Sequence, residues 1–224
     1  MPDWTSYTLS DFLMFSPRVY FRLIERYNQD LWPLQLILIA AALLVLIPAL
    51  HVPRARIAVY PTLAAAWAFC AWQFLWIRYA AISWATSYAA IAFLAEAGLL
   101  ALWSGTTGQA DPAATRLRQA GGIGLMLFGL LAYPFLALLA GRSLASAETF
   151  AMMPDPTATA TLGAVLAASR KTPWLLLPMP LLWCGFSGLT LWALEDPGAW
   201  APFASIAATL ALLLTPAVKA SRFR

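Results

Sequence analysis

Apolar residues in this chain fall into long blocks rather than alternating or tracing a single helical stripe. Six blocks, 31–50, 57–77, 80–103, 119–141, 173–194 and 197–218, carry one charge between them, Glu96. Each reaches the roughly 20 residues that a helix needs to cross a bilayer core. Trp32, Trp76, Trp84, Trp103, Trp174, Trp192 and Trp200 sit near block ends, where the aromatic belts of membrane helices belong. The connectors are turn-like, HVPRAR at 51–56 and EDPG at 195–198, with one longer polar stretch at 104–118. The pattern predicts an all-α, polytopic membrane protein with six transmembrane helices.

Residues 1–30 read differently. Ser10 can cap a short helix from Asp11, and Ser16-Pro17 is a second cap with proline at the first helical position. Beyond it Arg18, Arg22 and Arg26 recur on one face, and Tyr20, Leu23, Ile24 and Tyr27 on the other. This spacing predicts an amphipathic helix lying in the membrane interface, with its arginines on lipid headgroups. The organisation is then an interfacial segment 1–30, one transmembrane helical domain 31–218 and a basic tail 219–224. No cleavable leader is expected, because acidic residues interrupt the first 30 positions.

The stretch SAETFAMMPDPTATATLGAVLAASRKTP, 146–173, is only modestly apolar. Asp155 is a natural N-cap with Pro156 at the first helical position, so a helix over 155–169 is expected. From Thr157 to Ser169 it would span about 20 Å, short of a core of about 30 Å. If it does not cross, ten basic residues share a face: Arg18, Arg22, Arg26, Arg78, Arg142, Arg170, Lys171, Lys219, Arg222 and Arg224. Arg54, Arg56, Arg116 and Arg118 take the other. The positive-inside rule then puts both termini in the cytoplasm. If it crosses, the split becomes nine to five with the N-terminus outside. The first arrangement is expected, with 155–169 a cytoplasmic-side helix, either re-entrant or interfacial.

Composition agrees with a lipid environment. The 224 residues are 62% hydrophobic and 11% charged, against about 25% charged in a soluble domain. The net charge of +4 suits basic cytoplasmic loops and requires no nucleic acid. Cys70 and Cys184 both lie inside apolar blocks, which argues against a disulfide framework.

Candidate chemistry is sparse. A carboxylate inside a membrane helix is costly unless it faces protein, water or a partner, so Glu96 is the leading candidate for an ion or substrate pathway. Ala85, Ala89, Ala92 and Gly98 near its face would let neighbouring helices approach; Arg54 or Arg116 could pair with it. Asp155, Thr157 and Thr161 would line the start of the 155–169 helix, and Gln73 is a further polar residue within a block. Cys70 with Cys184, or Met152-Met153 beside Asp155, offer too few ligands for a metal site, and no cofactor is expected. Gly185–Gly188, GFSG, mimics the GxSG of six-span intramembrane serine proteases. Those need a histidine on a later span, and His51 is the sole histidine here and precedes Ser187. Close helix approach at Gly185 and Gly188 is the plainer reading, and no catalytic residue is assigned.

GRSLASAETFAMMPDPTATATLGAVLAA, LPMPLLWCGFSGLTLWAL and the N-terminal LSDFLMFSPRVYFRLIERYNQDLWPLQL together resemble a bacterial group of small polytopic membrane proteins of unknown function. The resemblance implies membrane topology and supplies no activity. The residues suggest small-solute or ion transport, or a transport-associated protein, in a bacterial inner membrane. The alternative is a non-catalytic subunit or scaffold of a larger membrane complex, with a homo-oligomer or membrane partner.

Overall fold

The computed structural model describes residues 13–103, 116–168 and 173–215. The helix expected from Asp11, the connector at 104–115, Arg170-Lys171 and the tail 219–224 lie outside them. All regular structure among the described residues is helical. In chain order the helices are α1 (Pro17–Asp30), α2 (Leu34–His51), α3 (Val59–Phe69), α4 (Ala85–Trp103), α5 (Arg116–Leu127), α6 (Leu136–Leu139), α7 (Pro154–Ala168), α8 (Pro178–Ala193) and α9 (Trp200–Leu213). A π-helical stretch, Cys70–Trp76, extends α3. Another, Phe128–Ala132, joins α5 towards α6 as one rod. Five helical segments are long and apolar enough to cross a membrane: Leu34–His51, Arg54–Ala81, Ala85–Trp103, Arg116–Leu139 and Trp174–Ala193. The sixth expected block forms a shorter apolar helix, Pro197–Leu213.

The main departure from expectation is α7. It is not a helix on the cytoplasmic side of the bundle but its central element, and every side chain from Ala151 to Leu166 is buried. Its composition makes this possible. Alanines and Gly163 keep the helix thin, and the threonines satisfy their own hydroxyls. Thr157 Oγ1 donates to Met153 O at 2.6 Å and Thr161 Oγ1 to Thr157 O at 2.8 Å. Thr159 shares a 3.1 Å hydrogen bond with Ser205 on α9. A helix whose hydroxyls bond back to its own carbonyls has no polar face needing water.

α7 runs antiparallel to α5, backbone against backbone. A Cβ on Gly129 would lie 2.7 Å from Pro156 O and 2.6 Å from Ala160 N. One on Gly122 would lie 2.8 Å from Ala167 N. One on Gly163 would collide with the Met126 backbone nitrogen and lie 2.6 Å from Gly122 O. Small residues permit this spacing between membrane-type helices. The contacts also give direction, because α7 starts beside Gly129 and ends beside Gly122.

The two ends of the bundle can be named by their arginines. At one, Leu46, Ala49, Arg56, Val59, Gln119, Ala164 and Ala167 surround a common cavity. At the other, Arg142 Nε lies 3.2 Å from Asp196 Oδ2. α7 therefore leaves the neighbourhood of Arg142 and finishes at the Arg56 end, and α8 returns. A six-crossing layout with α7 held on one face would put Arg142 and Asp196 on opposite faces.

α1 forms where the sequence predicts, with Ser16 as N-cap: its Oγ accepts from Val19 N–H, and Pro17 opens the helix. Arg18, Arg22 and Arg26 are exposed as expected, and Arg22 pairs with Glu25 at 3.0 Å. The apolar stripe, however, packs on protein. Tyr20, Ile24 and Tyr27 are buried, and Asn28 Nδ2 donates to Ala145 O and Ala147 O, both at 2.8 Å.

The α5–α7 crossing yields a stability prediction. Gly163→Ala or Gly129→Ala should lower stability by about 1–3 kcal/mol through overpacking. Gly98→Ala and Gly124→Ala, where nothing lies within 4 Å of a new Cβ, should be neutral or stabilise by up to about 1 kcal/mol. Thermal unfolding of the four variants in detergent measures the ordering.

Candidate functional site

The first turn of α7 is wedged between the α5–α6 rod and α8, and it carries Asp155 into the interior. Asp155 is 3% exposed and is not an N-cap, because the helix begins one residue earlier at Pro154. Its carboxylate accepts three side-chain hydrogen bonds instead. Trp183 Nε1 donates to Oδ1 at 2.7 Å, Ser187 Oγ to Oδ2 at 2.6 Å and Tyr133 OH to Oδ2 at 3.3 Å. Ser187 and Trp183 lie one helical turn apart on α8, so one face of α8 supplies two donors. Tyr133 follows directly after the π-helical stretch 128–132, whose wider turn shifts the register of the rod at that point.

Around Asp155 lies a wider charged cluster at the Arg142 end. Gly141, with φ of 71°, ends the rod and turns the chain into Arg142. The Arg142 guanidinium reaches Asp196, donates from Nη1 to Ser146 O at 3.3 Å and stacks over the Phe21 ring at 3.9 Å. Asp196 caps the next turn by accepting from Gly198 N–H at 2.7 Å. Glu148 sits within electrostatic reach of Arg142, Asp155 and Asp196. It is buried, and it lines a cavity of about 10 Å³ together with Tyr133, Arg142, Leu191 and Asp196, room for about one water. The field of the cluster extends to α1: burial, then the charge of Glu148, pushes the Tyr20 phenol well above its ordinary range against the pull of Arg142.

The expected site residues separate into three places. Glu96 is buried, 2% exposed, and its Oε1 has no hydrogen-bond partner. No ion pair joins it to Arg54 or Arg116 among the described residues. Phe93, one turn earlier on α4, stacks against Trp67 at 4.2 Å and meets Trp183 edge-on at 4.9 Å. Trp183 is also a donor to Asp155, so this run of three buried rings reaches from α4 beside Glu96 to the Asp155 network. Thr157 and Thr161 are fully buried, and each hydroxyl is engaged within the bundle. Thr157 Oγ1 accepts from Ala151 N–H at 2.9 Å, holding Ala151 at φ of 64°, and Thr161 Oγ1 accepts from the Trp67 indole at 2.8 Å. Gln73 is half-buried on the π-helical extension of α3, and no hydrogen bond joins it to either acid. Gly98 faces open space, so it does not serve close packing beside Glu96.

Sequence reasoning missed Glu148, Arg142, Tyr133 and Asp196 as members of one site. A signal was present: Glu148 lies seven residues before Asp155, in a connector made otherwise of small and apolar residues. Cys70 and Cys184 are both buried and free. Gly188 does serve close packing, since its Cβ would lie 2.8 Å from the Phe203 ring of α9, whereas Gly185 meets only Ile206 at 3.9 Å.

Fold and site define an all-helical protein with five apolar helices of membrane-spanning length around a central helix that carries a buried carboxylate. The chain belongs to a family of unknown function, DUF6064, which matches residues 17–222. No curated protein and no solved structure matches it.

Ser187 tests the strength of the Asp155 network. Ser187→Ala should cost about 1–3 kcal/mol, the penalty for leaving a buried charged acceptor short of a donor, and Trp183→Phe a similar amount. Denaturant unfolding of both variants and of the double variant checks this, and the double should show coupling because the two donors share one carboxylate.

Proposed function

We propose that this is a multi-pass membrane protein that moves a small solute or ion by way of the acid cluster at the Arg142 end. The observation that carries the reading is Glu148: a buried carboxyl that no described donor reaches, facing a water-sized cavity between Arg142 and Asp196. A buried acid beside a cavity and a specific charge partner is a candidate for a functional site. Asp155 fixes the geometry beneath it. Glu96 is a separate acid, on α4.

The same reading sets a topology. α2, the α3 segment, α4, the α5–α6 rod, α7, α8 and α9 would each cross, seven in all. Arg54, Arg56, Arg116, Arg118, Arg170, Lys171, Lys219, Arg222 and Arg224 then belong to one face, and Arg18, Arg22, Arg26, Arg78 and Arg142 to the other. The positive-inside rule puts the C-terminus in the cytoplasm and the N-terminus outside. Exposed Trp32, Trp84, Trp174, Trp192 and Trp200 support aromatic belts at both faces. On this topology Arg18, Arg22 and Arg26 meet headgroups of the outer leaflet, and a bacterial inner membrane is the setting proposed. The second reading is a non-catalytic subunit or scaffold of a membrane complex. The packed rings of Trp67, Phe93 and Trp183 favour it, because they are built as a rigid core.

Topology is checked with single cysteines in a background lacking Cys70 and Cys184. Arg26→Cys should react with an impermeant maleimide in intact cells, and Arg116→Cys only after permeabilisation. Glu195→Cys, at an exposed position, should label together with Arg26→Cys; labelling together with Arg116→Cys instead restores the six-crossing layout. Transport is checked in proteoliposomes. Wild type should show flux driven by an ion gradient, and Glu148→Gln should reduce it about tenfold or more while its thermal unfolding stays near wild type. No wild-type flux, with stable co-purification of a membrane partner, would favour the scaffold.

A further inference from the structure

We infer that the ion held in this cluster is a proton, carried on Glu148, and that Arg142 keeps metal cations out of the same cavity. This rests on the reading of the cluster as the functional site and names the ion it takes. Three observations point the same way. Glu148 is 7% exposed, so nine-tenths of it is buried, and no hydrogen bond from a described residue reaches its carboxyl although the cavity lies in front of it. The hydroxyl of Thr149, the next residue along the chain, is also buried without a hydrogen-bond partner, and Arg142 Nε has only its ion pair with Asp196. And the cavity has room for about one water.

Charge decides which ion fits. Glu148 is faced by Arg142 from the end of the rod, Asp155 from α7 and Asp196 from the turn between α8 and α9. The phenols of Tyr20, Tyr79 and Tyr133 complete the surroundings. A metal ion needs oxygens on several sides, and here a guanidinium occupies one of them and repels it. Among the described residues no three acidic, histidine or cysteine side chains converge to hold a metal. A proton has neither difficulty. Hydronium in the cavity gives a proton to a Glu148 carboxylate oxygen and becomes water; on release, water takes the proton back. No electron moves and no other bond changes. When Glu148 is charged, Arg142 has two carboxylates to serve, Asp196 and Glu148, so proton occupancy is coupled to the contact that ties the rod to the α8–α9 turn.

The test is infrared spectroscopy of the full chain in detergent, grown with carbon-13 glutamate. The C=O band of a water-shielded glutamic acid is followed through a pH titration in choline chloride and again in sodium chloride. Glu148 and Glu96 are both buried, so two bands are followed: the Glu148 band is the one expected to disappear in Glu148→Gln and persist in Glu96→Gln, with the same midpoint in both salts. A midpoint that falls by up to about one pH unit per tenfold rise in sodium would mean a competing metal cation and overturns the proton assignment. Persistence of the band in Glu148→Gln also overturns it. The salt comparison uses wild-type protein, so it stands even where a variant fails to fold. Loss of flux in proteoliposomes with the infrared result intact would remove the transport reading and leave the proton site. A sodium-shifted midpoint with flux intact would do the reverse.

Discussion

The approach of α7 to α5 sets how close every other helix can come. Gly122, Gly129 and Gly163 put two backbones in contact, and larger residues at these positions would separate the helices. Because α7 is thin, α3, α8 and α9 all reach it: Trp67 through Thr161, Ser187 and Trp183 through Asp155, and Ser205 through Thr159. Each of these bonds satisfies a polar group that would otherwise be stranded in an apolar interior. Composition, packing and polar satisfaction therefore point to one arrangement, with a thin, threonine-bearing helix at the centre.

Charge counting alone could not distinguish the two topologies. The ten-to-four and nine-to-five splits both obey the positive-inside rule, and they differ in which face is cytoplasmic. The ion pair of Arg142 with Asp196 places residues 142 and 196 at one end of the bundle. Between them α7 runs antiparallel to α5, and α8 returns.

Much of the architecture was legible because it follows from local pattern. Five of the six apolar blocks become helices of spanning length, and Ser16-Pro17 starts α1 as its capping chemistry requires. Burial within a bundle was not legible in the same way. Thr157, Thr159 and Thr161 look like a polar surface in sequence, but in the helix two of them bond the preceding turn and the third meets Ser205. Residues 155–169 were placed at one side of the bundle because their length was measured against lipid, whereas the helix is surrounded by protein. Asp155 was noticed for the wrong reason, as a cap. Its actual role depends on Trp183, Ser187 and Tyr133, which lie 22 to 32 residues away along the chain.

Asp155 and Glu148 share a cluster but not a role, and hydrogen-bond satisfaction distinguishes them. Asp155 has three donors converging on two oxygens, so any movement of α7 or α8 would leave a buried carboxylate short of partners, at a cost of about 1–3 kcal/mol for each bond lost. A group held this firmly positions its neighbours. Glu148 has the same charge and comparable burial, without a donor, beside a cavity and an arginine already engaged elsewhere. The buried carboxyl oxygen without a partner is Glu96 Oε1, whereas the Glu148 side chain lines a cavity that can hold about one water. Asp155 is thus held by its donors and Glu148 by its charged surroundings, with Arg142 as the only guanidinium within electrostatic reach of Glu148 among the described residues.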